Sequence, residues 1–478
     1  MNNPASYRDQ HVVVLGLAKS GVSVAKLFHK LGAIVTVNDQ KERHLSPEAD
    51  ELEALGVSVI CGGHPDGLIT AETALVIKNP GIPYSSPPVR QAIELGLDVV
   101  TEVEVAYLIS QAPIIGITGS NGKTTTTTWI GDLLEAADRN PILAGNIGTP
   151  LCEAAQTASA EDWIVAELSS FQLKGTQQFR PRISILLNVA ETHLDYHGGM
   201  EDYIASKAKL FASQTGEDTA ILNADDLVCR ELMAGGLIQA SILPFSTTQE
   251  LSYGFFITPP FPEDLTTPEG EEERLIVWRD SEGFTHKLLP VRELGIPGRH
   301  NAANALAAVA ASFAAGAELP SLIEPLREFR GVEHRLEHVC ERHGVTYYNN
   351  SKATNSVATI IALRSFPGNI VLIAGGLDRG VDYLELVPHL RDQVKAVVAL
   401  GQTRNKIAYA AELAGLTDII IVEPEENAEA VLQQAVREAA SIAKPGDIVL
   451  LSPACASWDM FKSYEQRGRI FKQSAHTL

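Results

Sequence analysis

Short apolar runs that alternate with polar segments of helical period dominate the first hundred residues. Four of these runs have the length and composition of buried strands: 12–15, 34–37, 57–60 and 75–77. The alternation of strands with helices predicts a βαβ series that forms a parallel sheet. The turn after the first run has glycines only at 16 and 21, so it lacks the GxGxxG fingerprint and does not support NAD binding.

The same pattern continues in two further segments of the 478-residue chain, a length that predicts two to four domains. Apolar runs predict strands at 163–166, 183–187 and 219–222 in the central segment, and at 370–373, 396–400, 419–422 and 448–451 in the last. The alanine-rich run 302–317 predicts a buried helix. The polar stretch 259–274 predicts a solvated connection, with a functional acidic patch as the alternative.

Charge and cysteine usage limit the partners and the compartment. The net charge is −21, which disfavours nucleic acid and anionic membranes because either partner would need a basic face. The five cysteines are scattered and form no CxxC, as is typical of a reducing compartment. The N-terminus has no apolar signal core and no run is long enough to span a bilayer, so we expect a soluble, cytoplasmic protein and a monomer.

A glycine-rich turn at Gly119–Gly122 follows the apolar run that begins at Ile114, and Lys123 and Thr124 come directly after it. Backbone N–H groups in such a turn, together with the following helix N-terminus, bind phosphate. Lysine at this offset reaches the terminal phosphates, and the next hydroxyl ligates Mg²⁺. Ile117 stands where the strict P-loop pattern requires glycine, so the sequence predicts a variant nucleotide-binding loop.

Several polar residues follow apolar runs, where parallel sheets place their ligands. Glu167 ends the run 163–166 and could ligate Mg²⁺ beside the phosphate loop. His193, in the segment that begins at Asn188, could ligate or orient a metal. His193 and His197 have the spacing of zinc ligands on a helix, but no third ligand of matching spacing follows, so zinc is disfavoured.

Two helical segments carry further candidates. Lys207 and Lys209 lie on a predicted amphipathic helix over 201–211, where composition alone favours surface positions. Asn301 and Asn304 share a helical face at i, i+3. Paired amides suit an adenine edge, although Asn301 could instead cap the helix.

Taken together, these motifs resemble the Mur ligase family along the whole chain. The family's phosphate loop matches residues 119–124, and its acidic, histidine and paired-asparagine elements match Glu167–Ser170, Asn188–His193 and Gly298–Asn304. Its third-domain arginine and lysine elements match His334–Arg335 and Asn349–Asn355. The C-terminal segment Ser452–Phe461, with Tyr464–Gly468, resembles the branch that adds D-glutamate to UDP-N-acetylmuramoyl-L-alanine.

The resemblance implies a fold and a reaction. The fold would be α/β with three domains: a Rossmann-like N-terminal lobe over 1–102 that binds the UDP substrate, a central P-loop ATPase-like lobe over 103–330 and a Rossmann-like C-terminal lobe over 331–478 that binds the amino acid. The substrate carboxylate would attack the γ-phosphate of ATP, and the amine of D-glutamate would attack the resulting acyl-phosphate to form an amide. This reaction serves peptidoglycan precursor synthesis.

The resemblance also implies roles for individual residues. Lys123, Glu167, His193 and Lys207 would be catalytic; Thr124 and Glu167 would hold one Mg²⁺ and His193 a second, with Lys207 carbamylated as a further ligand. ATP would contact Gly119, Ser120, Asn121, Gly122, Lys123, Thr124, Thr125, Asn301, Asn304, Arg335 and Asn350. The UDP substrate would contact Ser20, Asp39, Gly81, Asn146 and Ser169, and D-glutamate would contact Lys352, Thr354, Arg379, Ser457 and Tyr464.

Three positions depart from the family pattern. Asn350 replaces the usual Asp, which would weaken a charge-assisted bond to the nucleotide or to Arg335. Arg379 and Tyr464 stand where some relatives have Lys and Phe. The alternatives to this ligase are a sister ligase for another amino acid or for folate, a nucleotide-binding protein that has lost catalysis, and a nicotinamide-dependent oxidoreductase.

Overall fold

A computed structural model describes residues 1–192, 194–263, 273–425 and 427–478. The described chain contains three β-sheets, one in each predicted α/β segment. It separates into two compact units: Met1–Val291 with Ala303–Leu326, and Arg292–Ala302 with Arg327–Leu478. The first unit holds two of the sheets and the second unit holds the third.

The first sheet is entirely parallel and has the order β3-β2-β1-β4-β5. Because the chain starts at the middle strand and moves outward in both directions, the carboxyl ends of β1, β2 and β4 meet at one edge. The elements are β1 (His11–Leu15), α1 (Lys19–Lys30), β2 (Ile34–Asp39), α2 (Glu48–Ala54), β3 (Ser58–Cys61), β4 (Thr73–Lys78), α3 (Pro87–Glu94) and β5 (Val99–Val100), with 3-10 turns at Pro4–Tyr7 and Arg43–Leu45.

The second sheet has nine strands in the order β14-β13-β12-β11-β10-β9-β6-β8-β7. The two pairings at the β14 edge, β12·β13 and β13·β14, are antiparallel. Its elements begin with α4 (Glu102–Ile109), β6 (Ile114–Thr118), α5 (Lys123–Ala136), β7 (Asn140–Gly145), α6 (Leu151–Thr157), β8 (Asp162–Glu167), α7 (Ser170–Lys174), β9 (Ile183–Leu186), α8 (Leu194–His197) and α9 (Met200–Ala208). They continue with β10 (Thr219–Asn223), α10 (Leu227–Ala234), β11 (Ser241–Ser246), β12 (Gly254–Thr258), β13 (Leu275–Arg279), β14 (Thr285–Pro290), a 3-10 turn at Val291–Glu293, α11 (Arg299–Ala314) and α12 (Leu319–Glu328).

The third sheet has the order β15-β16-β20-β17-β18-β19 and is parallel except at its edge strand β15. Its elements are β15 (Glu337–Arg342), β16 (Val345–Asn349), α13 (Ser356–Leu363), β17 (Ile370–Gly375), α14 (Val387–Gln393), β18 (Val394–Leu400), α15 (Arg404–Leu413), β19 (Asp418–Ile421), α16 (Ala428–Ile442), β20 (Ile448–Leu451) and α17 (Tyr464–His476), with a 3-10 turn at Leu384–Leu386.

Strand alternation determines how each sheet is buried. Ile370 and Leu372 of β17 pack in the core on one face of the third sheet, while Val371 and Ile373 pack on the other. Helices cover both faces, so the strand is apolar at every position, as expected for a central parallel strand. In the first unit, one apolar core includes residues of both sheets, such as Val12 and Ile114.

The predicted strands all form, as does the buried helix in the alanine-rich run, which is α11. The antiparallel pairings of β12–β14 were not predicted, and part of the stretch 259–274, residues 264–272, lies outside the described residues. All five cysteines are free thiols, as expected. No helix in the described ranges combines the length and apolarity needed to cross a bilayer.

Candidate active site

The phosphate loop connects β6 to α5 at the carboxyl edge of the central sheet. β6 lies between β8 and β9, so the ends of three adjacent parallel strands surround the loop. The backbone N–H groups of Ser120 and Asn121 donate to the carbonyl and side-chain oxygens of Asn188, each at 2.9 Å. Gly122 has φ +84°, and a Cβ there would collide with Oδ1 of Asn304. The sequence therefore needs glycine at this position.

Two lysines converge on one carbonyl oxygen of this loop. Lys123 Nζ donates to Gly119 O at 2.8 Å, and Lys207 Nζ donates to the same oxygen at 2.9 Å. Lys207 is only 2% exposed, so the composition-based prediction of a surface lysine is wrong at this position. Burial first and repulsion by Lys123 second lower the pKa of Lys207 to about 7. Both causes favour the neutral amine form of Lys207.

A chain of polar and aromatic contacts supports the Lys207 helix. Lys207 Nζ lies 4.6 Å from the ring centroid of Tyr203, whose hydroxyl shares a 2.9 Å hydrogen bond with Ser120 Oγ. His197 is bonded through its two ring nitrogens to Ser170 Oγ at 2.9 Å and to Asp202 at 2.6 Å. Both ring nitrogens of His197 therefore have hydrogen-bond partners within the protein. The described residues contain no cluster of three His, Cys, Asp or Glu side chains suited to a metal.

Glu167 is the last residue of β8 and is buried beside the loop. Its Oε1 accepts a 2.9 Å hydrogen bond from Asn146 Nδ2, while Oε2 has no hydrogen-bond partner among the described residues. A buried carboxylate oxygen with no donor is costly, and a hard cation is a partner that would satisfy it. Thr124 and Thr125 are buried in the first turn of α5. His193 lies outside the described residues, so its role stays a prediction.

A cavity of about 600 Å³ opens at the carboxyl edge of the first sheet. Ser20, Asp39 and Gly81 all line it, so the structure brings these three predicted substrate residues together. Asp39 accepts the backbone N–H of Leu17 at 2.7 Å, and Ser20 Oγ donates to Asn79 Oδ1 at 3.1 Å. The loops after β1, β2 and β4 therefore form one wall through direct hydrogen bonds.

The other two residues assigned to the UDP substrate lie on the central domain and are not among the residues that line this cavity. Asn146 is held by Glu167, as described above. Ser169 caps α7: its Oγ accepts the N–H of Gln172 at 3.3 Å, and Gln172 Oε1 accepts the N–H of Ser169 at 2.9 Å. This reciprocal capping box fixes the start of the helix that follows Glu167.

The second unit groups most of its predicted residues at the carboxyl ends of neighbouring strands β16, β20 and β17. Asn350 follows β16 and is buried; its Oδ1 accepts the N–H of Leu336 at 3.2 Å and its Nδ2 donates to Ser452 Oγ at 3.0 Å. An amide can accept at one atom and donate at the other, whereas an ionised Asp could only accept. The unusual Asn350 thus joins a hydrogen-bond network suited to an amide.

The D-glutamate candidates follow β16, β17 and β20 or begin α17. Lys352 Nζ lies 5.4 Å from the ring centroid of Tyr464, and burial is the main cause that raises the pKa of Tyr464 to about 12. Arg379 is exposed, with its guanidinium 5.2 Å from the ring centroid of Trp458. Ser457 is buried and Thr354 is half-buried.

Besides Asn350, two nucleotide candidates of this unit are held by hydrogen bonds. The N–H of Arg335 donates to Val332 O at 2.8 Å, and Nδ2 of the buried Asn301 donates to Pro297 O at 2.6 Å. Asn304, in the first unit, accepts a 3.4 Å hydrogen bond from Thr126 Oγ1 next to the phosphate loop. Asn301 and Asn304 both lie on α11, as the sequence predicted.

Comparison with known protein families accounts for most of the chain. A Mur ligase MurD-like N-terminal domain matches residues 10–101, a Mur ligase middle domain matches 117–312, and a Mur ligase glutamate ligase domain matches 334–455. A curated protein from Geobacillus sp. strain WCH70, named UDP-N-acetylmuramoylalanine--D-glutamate ligase, is 49% identical over 479 residues and covers the full length of both chains. The chain belongs to the Mur ligase family. The family resemblance predicted from the sequence motifs is therefore confirmed.

Other relatives support the same branch of the Mur ligases. A protein of the same name from Bacillus cytotoxicus is 44% identical over 478 residues, again covering both chains completely. Among solved structures, MurF from Acinetobacter baumannii has a TM-score of 0.59 at 16% identity over 97% of this chain and 93% of its own. MurC from Thermotoga maritima has a TM-score of 0.57 at 18% identity over 98% and 99%. These structures confirm the three-domain α/β fold.

Sequence reasoning missed two residues that line the cavity at the first sheet. His64 and Asn79 line the cavity, and His64 Nδ1 is 2.6 Å from Asn38 Oδ1. Asn79 begins an Asn-Pro-Gly turn after an apolar run, which is the signal that could have identified it. His64 follows no motif, so its place depends on the packing of the loop after β3.

Proposed function

We propose that this chain is an ATP-dependent, ADP-forming ligase that joins D-glutamate to UDP-N-acetylmuramoyl-L-alanine during peptidoglycan precursor synthesis. Curated ligases of this name are 49% and 44% identical to this chain over its full length, which supports the reaction and the substrates. A neighbour of the same fold, MurF from Thermotoga maritima, was solved in complex with ADP, which is consistent with ATP use. The observation that carries the proposal is the convergence of Lys123 and Lys207 on Gly119 O beside the buried Glu167.

In this proposal Lys123 neutralises charge on the phosphoryl group during its transfer. The substrate carboxylate oxygen forms a bond to the γ-phosphorus, and the bond to the β-γ bridging oxygen breaks to release ADP. The amine nitrogen of D-glutamate then forms a bond to the acyl carbon, phosphate leaves with the electron pair of the broken C–O bond, and the nitrogen loses a proton. No side chain acts as a nucleophile, so catalysis consists of positioning and electrostatic stabilisation.

Magnesium is the metal that these residues suit. Glu167 Oε2, which has no donor partner within the described ranges, and the hydroxyl of Thr124 are hard oxygen ligands, and His193 would serve a second ion. Bound magnesium would supply charge neutralisation to the nucleotide phosphates. Within the chain, the bond from Asn146 to Glu167 Oε1 orients the carboxylate so that Oε2 is left for the cation.

Lys207 would serve as a carbamate. Its neutral amine, favoured by a pKa of about 7, would attack CO₂; a C–N bond forms and one nitrogen-bound proton is released to solvent. The product is an anionic oxygen ligand in place of a buried amine. This change also replaces repulsion between Lys207 and Lys123 with attraction, which favours the modified form.

The substrates would occupy the carboxyl edges of the first and third sheets. Ser20, Asp39 and Gly81 would contact the uridine diphosphate group in the 600 Å³ cavity, with Asn146 and Ser169 nearer the sugar. ATP would contact residues 119–125 and the side chains Asn301, Asn304, Arg335 and Asn350. D-Glutamate would contact the C-terminal set Lys352, Thr354, Arg379, Ser457 and Tyr464. In this proposal the three domains span residues 1–102, 103–330 and 331–478.

A cytoplasmic monomer is the state we propose for this enzyme. Five free thiols suit a reducing compartment, and the net charge of −21 disfavours association with nucleic acid or anionic membranes. Light scattering of the purified protein tests the monomer, since a molar mass twice that of the chain would contradict it.

Phosphate release with ATP, Mg²⁺ and UDP-N-acetylmuramoyl-L-alanine tests the reaction. D-Glutamate should be required, and L-glutamate, L-lysine or no added amine should give only background release. Release with another amine would assign the chain to a sister branch. No release with any amine, from folded protein that binds ATP, would contradict the ligase proposal.

A further inference from the structure

Lys78 is a buried lysine to which none of the proposed roles applies. It is the last residue of β4 and is only 1% exposed. Burial first and repulsion by Lys174 second lower its pKa to about 7. Removing a lysine from water is costly unless its donors are satisfied, so the groups that Lys78 bonds indicate what it does.

Lys78 Nζ holds two successive backbone carbonyls of the turn that follows β4. It donates to Pro80 O at 3.1 Å and to Asn79 O at 3.3 Å. Asn79, Pro80 and Gly81 line the 600 Å³ cavity, and the side chain of Asn79 accepts the bond from Ser20. Lys78 therefore fixes the backbone of a cavity wall while remaining buried behind it.

Tyr196 of α8, in the central domain, is the third hydrogen-bond partner of Lys78. Lys78 Nζ donates to its hydroxyl at 3.3 Å, and the hydroxyl donates to Pro80 O at 3.1 Å. The neighbouring His197 ring lies 5.2 Å from the ring of Tyr203, which is bonded to Ser120 of the phosphate loop. Contacts thus run without interruption from the cavity wall to the phosphate loop.

Two tyrosine rings, Tyr84 and Tyr196, lie close to the ammonium group of Lys78. Lys78 Nζ lies 4.8 Å from the ring centroid of Tyr84, and Lys174 Nζ lies 5.2 Å from the same centroid. Lys174 is paired with Asp202 at 2.7 Å. The rings offer favourable surfaces to a cation but no strong acceptor, so the two carbonyls and the Tyr196 hydroxyl decide where Nζ lies.

We propose that Lys78 is a positioning residue for the nucleotide-sugar substrate, which holds the turn 79–81 in the conformation that completes the cavity and ties it to Tyr196. The inference rests on the proposed function only for the identity of that substrate. Lys78 does not touch the reacting atoms. Its loss should therefore weaken binding of the UDP compound and leave the ATP and D-glutamate requirements unchanged.

Lys78→Met tests the proposal because methionine keeps much of the volume between the rings and removes all three hydrogen bonds. Calorimetry should show about tenfold weaker binding of UDP and of UDP-N-acetylmuramoyl-L-alanine, the effect of losing the hydrogen bonds that hold the turn. The KM for the UDP substrate should rise by a similar factor, while the KM for ATP and for D-glutamate stays within about twofold. Lys26→Met, which removes an exposed lysine paired with Glu51 on the same domain, is the control.

Tyr196→Phe is the second variant, which removes only the shared hydroxyl and should weaken UDP binding in the same direction by a smaller factor. Folded Lys78→Met protein that binds UDP like the wild type would overturn the proposal. If Lys78→Met does not fold, unchanged UDP binding in Tyr196→Phe would overturn it instead. Weaker UDP binding in a chain that shows no D-glutamate-dependent turnover would refute the proposed function but support this inference. Wild-type protein that does not bind UDP would refute both.

Discussion

The buried carboxyl group of Glu102 should make the stability of the first unit depend on pH. Glu102 is the first residue of α4 and is 3% exposed, and its two oxygens accept the N–H groups of Leu151 and Cys152, each at 3.3 Å. Burial outweighs these two bonds and raises the pKa of Glu102 from 4.5 to about 7. The folded state therefore holds this proton more tightly than the unfolded chain does.

The sign and size of the effect follow from that difference. A carboxyl group with a raised pKa in the folded state stabilises the fold fully below pH 4.5 and loses that contribution as pH rises through 7. A shift of this size corresponds to about 3 kcal/mol, of which about 2 kcal/mol would be lost between pH 5.5 and pH 8. Glu102→Gln should remove this loss, because glutamine has the same shape and stays neutral.

Urea denaturation, followed by tryptophan fluorescence at pH 5.5 and pH 8, measures the effect. The free energy of unfolding of Glu102→Gln should exceed that of the wild type by about 3 kcal/mol at pH 8 and by only about 1 kcal/mol at pH 5.5. Glu153→Gln changes an exposed carboxylate nearby and should follow the wild type at both pH values. An identical pH dependence in Glu102→Gln and the wild type would refute the argument.

Three further substitutions test the active site and its support. Lys207→Ala should lower activity by about a hundredfold, with partial recovery on addition of a small carboxylate, whereas Lys209→Ala, which loses bonds to backbone carbonyls only, should show no such recovery. Gly122→Ala should weaken ATP binding at least about tenfold because of its φ of +84°, whereas Gly199→Ala should not, because its backbone is extended and its surroundings are open. Glu104→Gln should lower the free energy of unfolding by about 2 to 3 kcal/mol, because its buried carboxylate accepts the N–H groups of residues 177–179 at 2.8 to 3.1 Å.

Each of these three predictions can be contradicted independently of the others. Activity in Lys207→Ala equal to that of the wild type would exclude the carbamate, as would equal recovery of Lys207→Ala and Lys209→Ala with added carboxylate. ATP titrations that give the same dissociation constant for Gly122→Ala and Gly199→Ala would contradict the steric argument. A urea midpoint for Glu104→Gln equal to that of the wild type would show that the three backbone donors find other acceptors.

The fold was predictable where a buried strand needs apolar residues at every position. Val12–Leu15 and Ile370–Ile373 are such strands, and both were located from the sequence. β7 was missed because it begins with Asn140 and Pro141 and lies at a sheet edge, where burial and ladder bonds impose less on the sequence. β13 and β14 were missed because their antiparallel pairing depends on contacts with β12 and not on a local pattern.

The candidate site was predictable where a motif encodes local geometry. The phosphate loop is such a case, since Gly122 and Lys123 have their roles within one turn of chain. The burial of Lys207 was not predictable from composition, because it comes from contact with Gly119, 88 residues away. Lys78 is similar: in sequence it is a polar residue at a strand end, and only the approach of Tyr196 from another domain shows that it is enclosed.

The two edge strands of the nine-stranded sheet, β14 and β7, affect whether the sheet can pair with other molecules. Unpaired backbone groups at a sheet edge can recruit strands of other molecules, and the apolar strands β12 and β13 would form such contacts readily if they were exposed. β14 covers them and presents exposed Thr285, His286 and Lys287, while β7 at the opposite edge carries Pro141, which lacks an N–H to donate. Lys287 and Pro141 at the outer strands thus disfavour edge-to-edge pairing of the largest sheet with strands of other molecules.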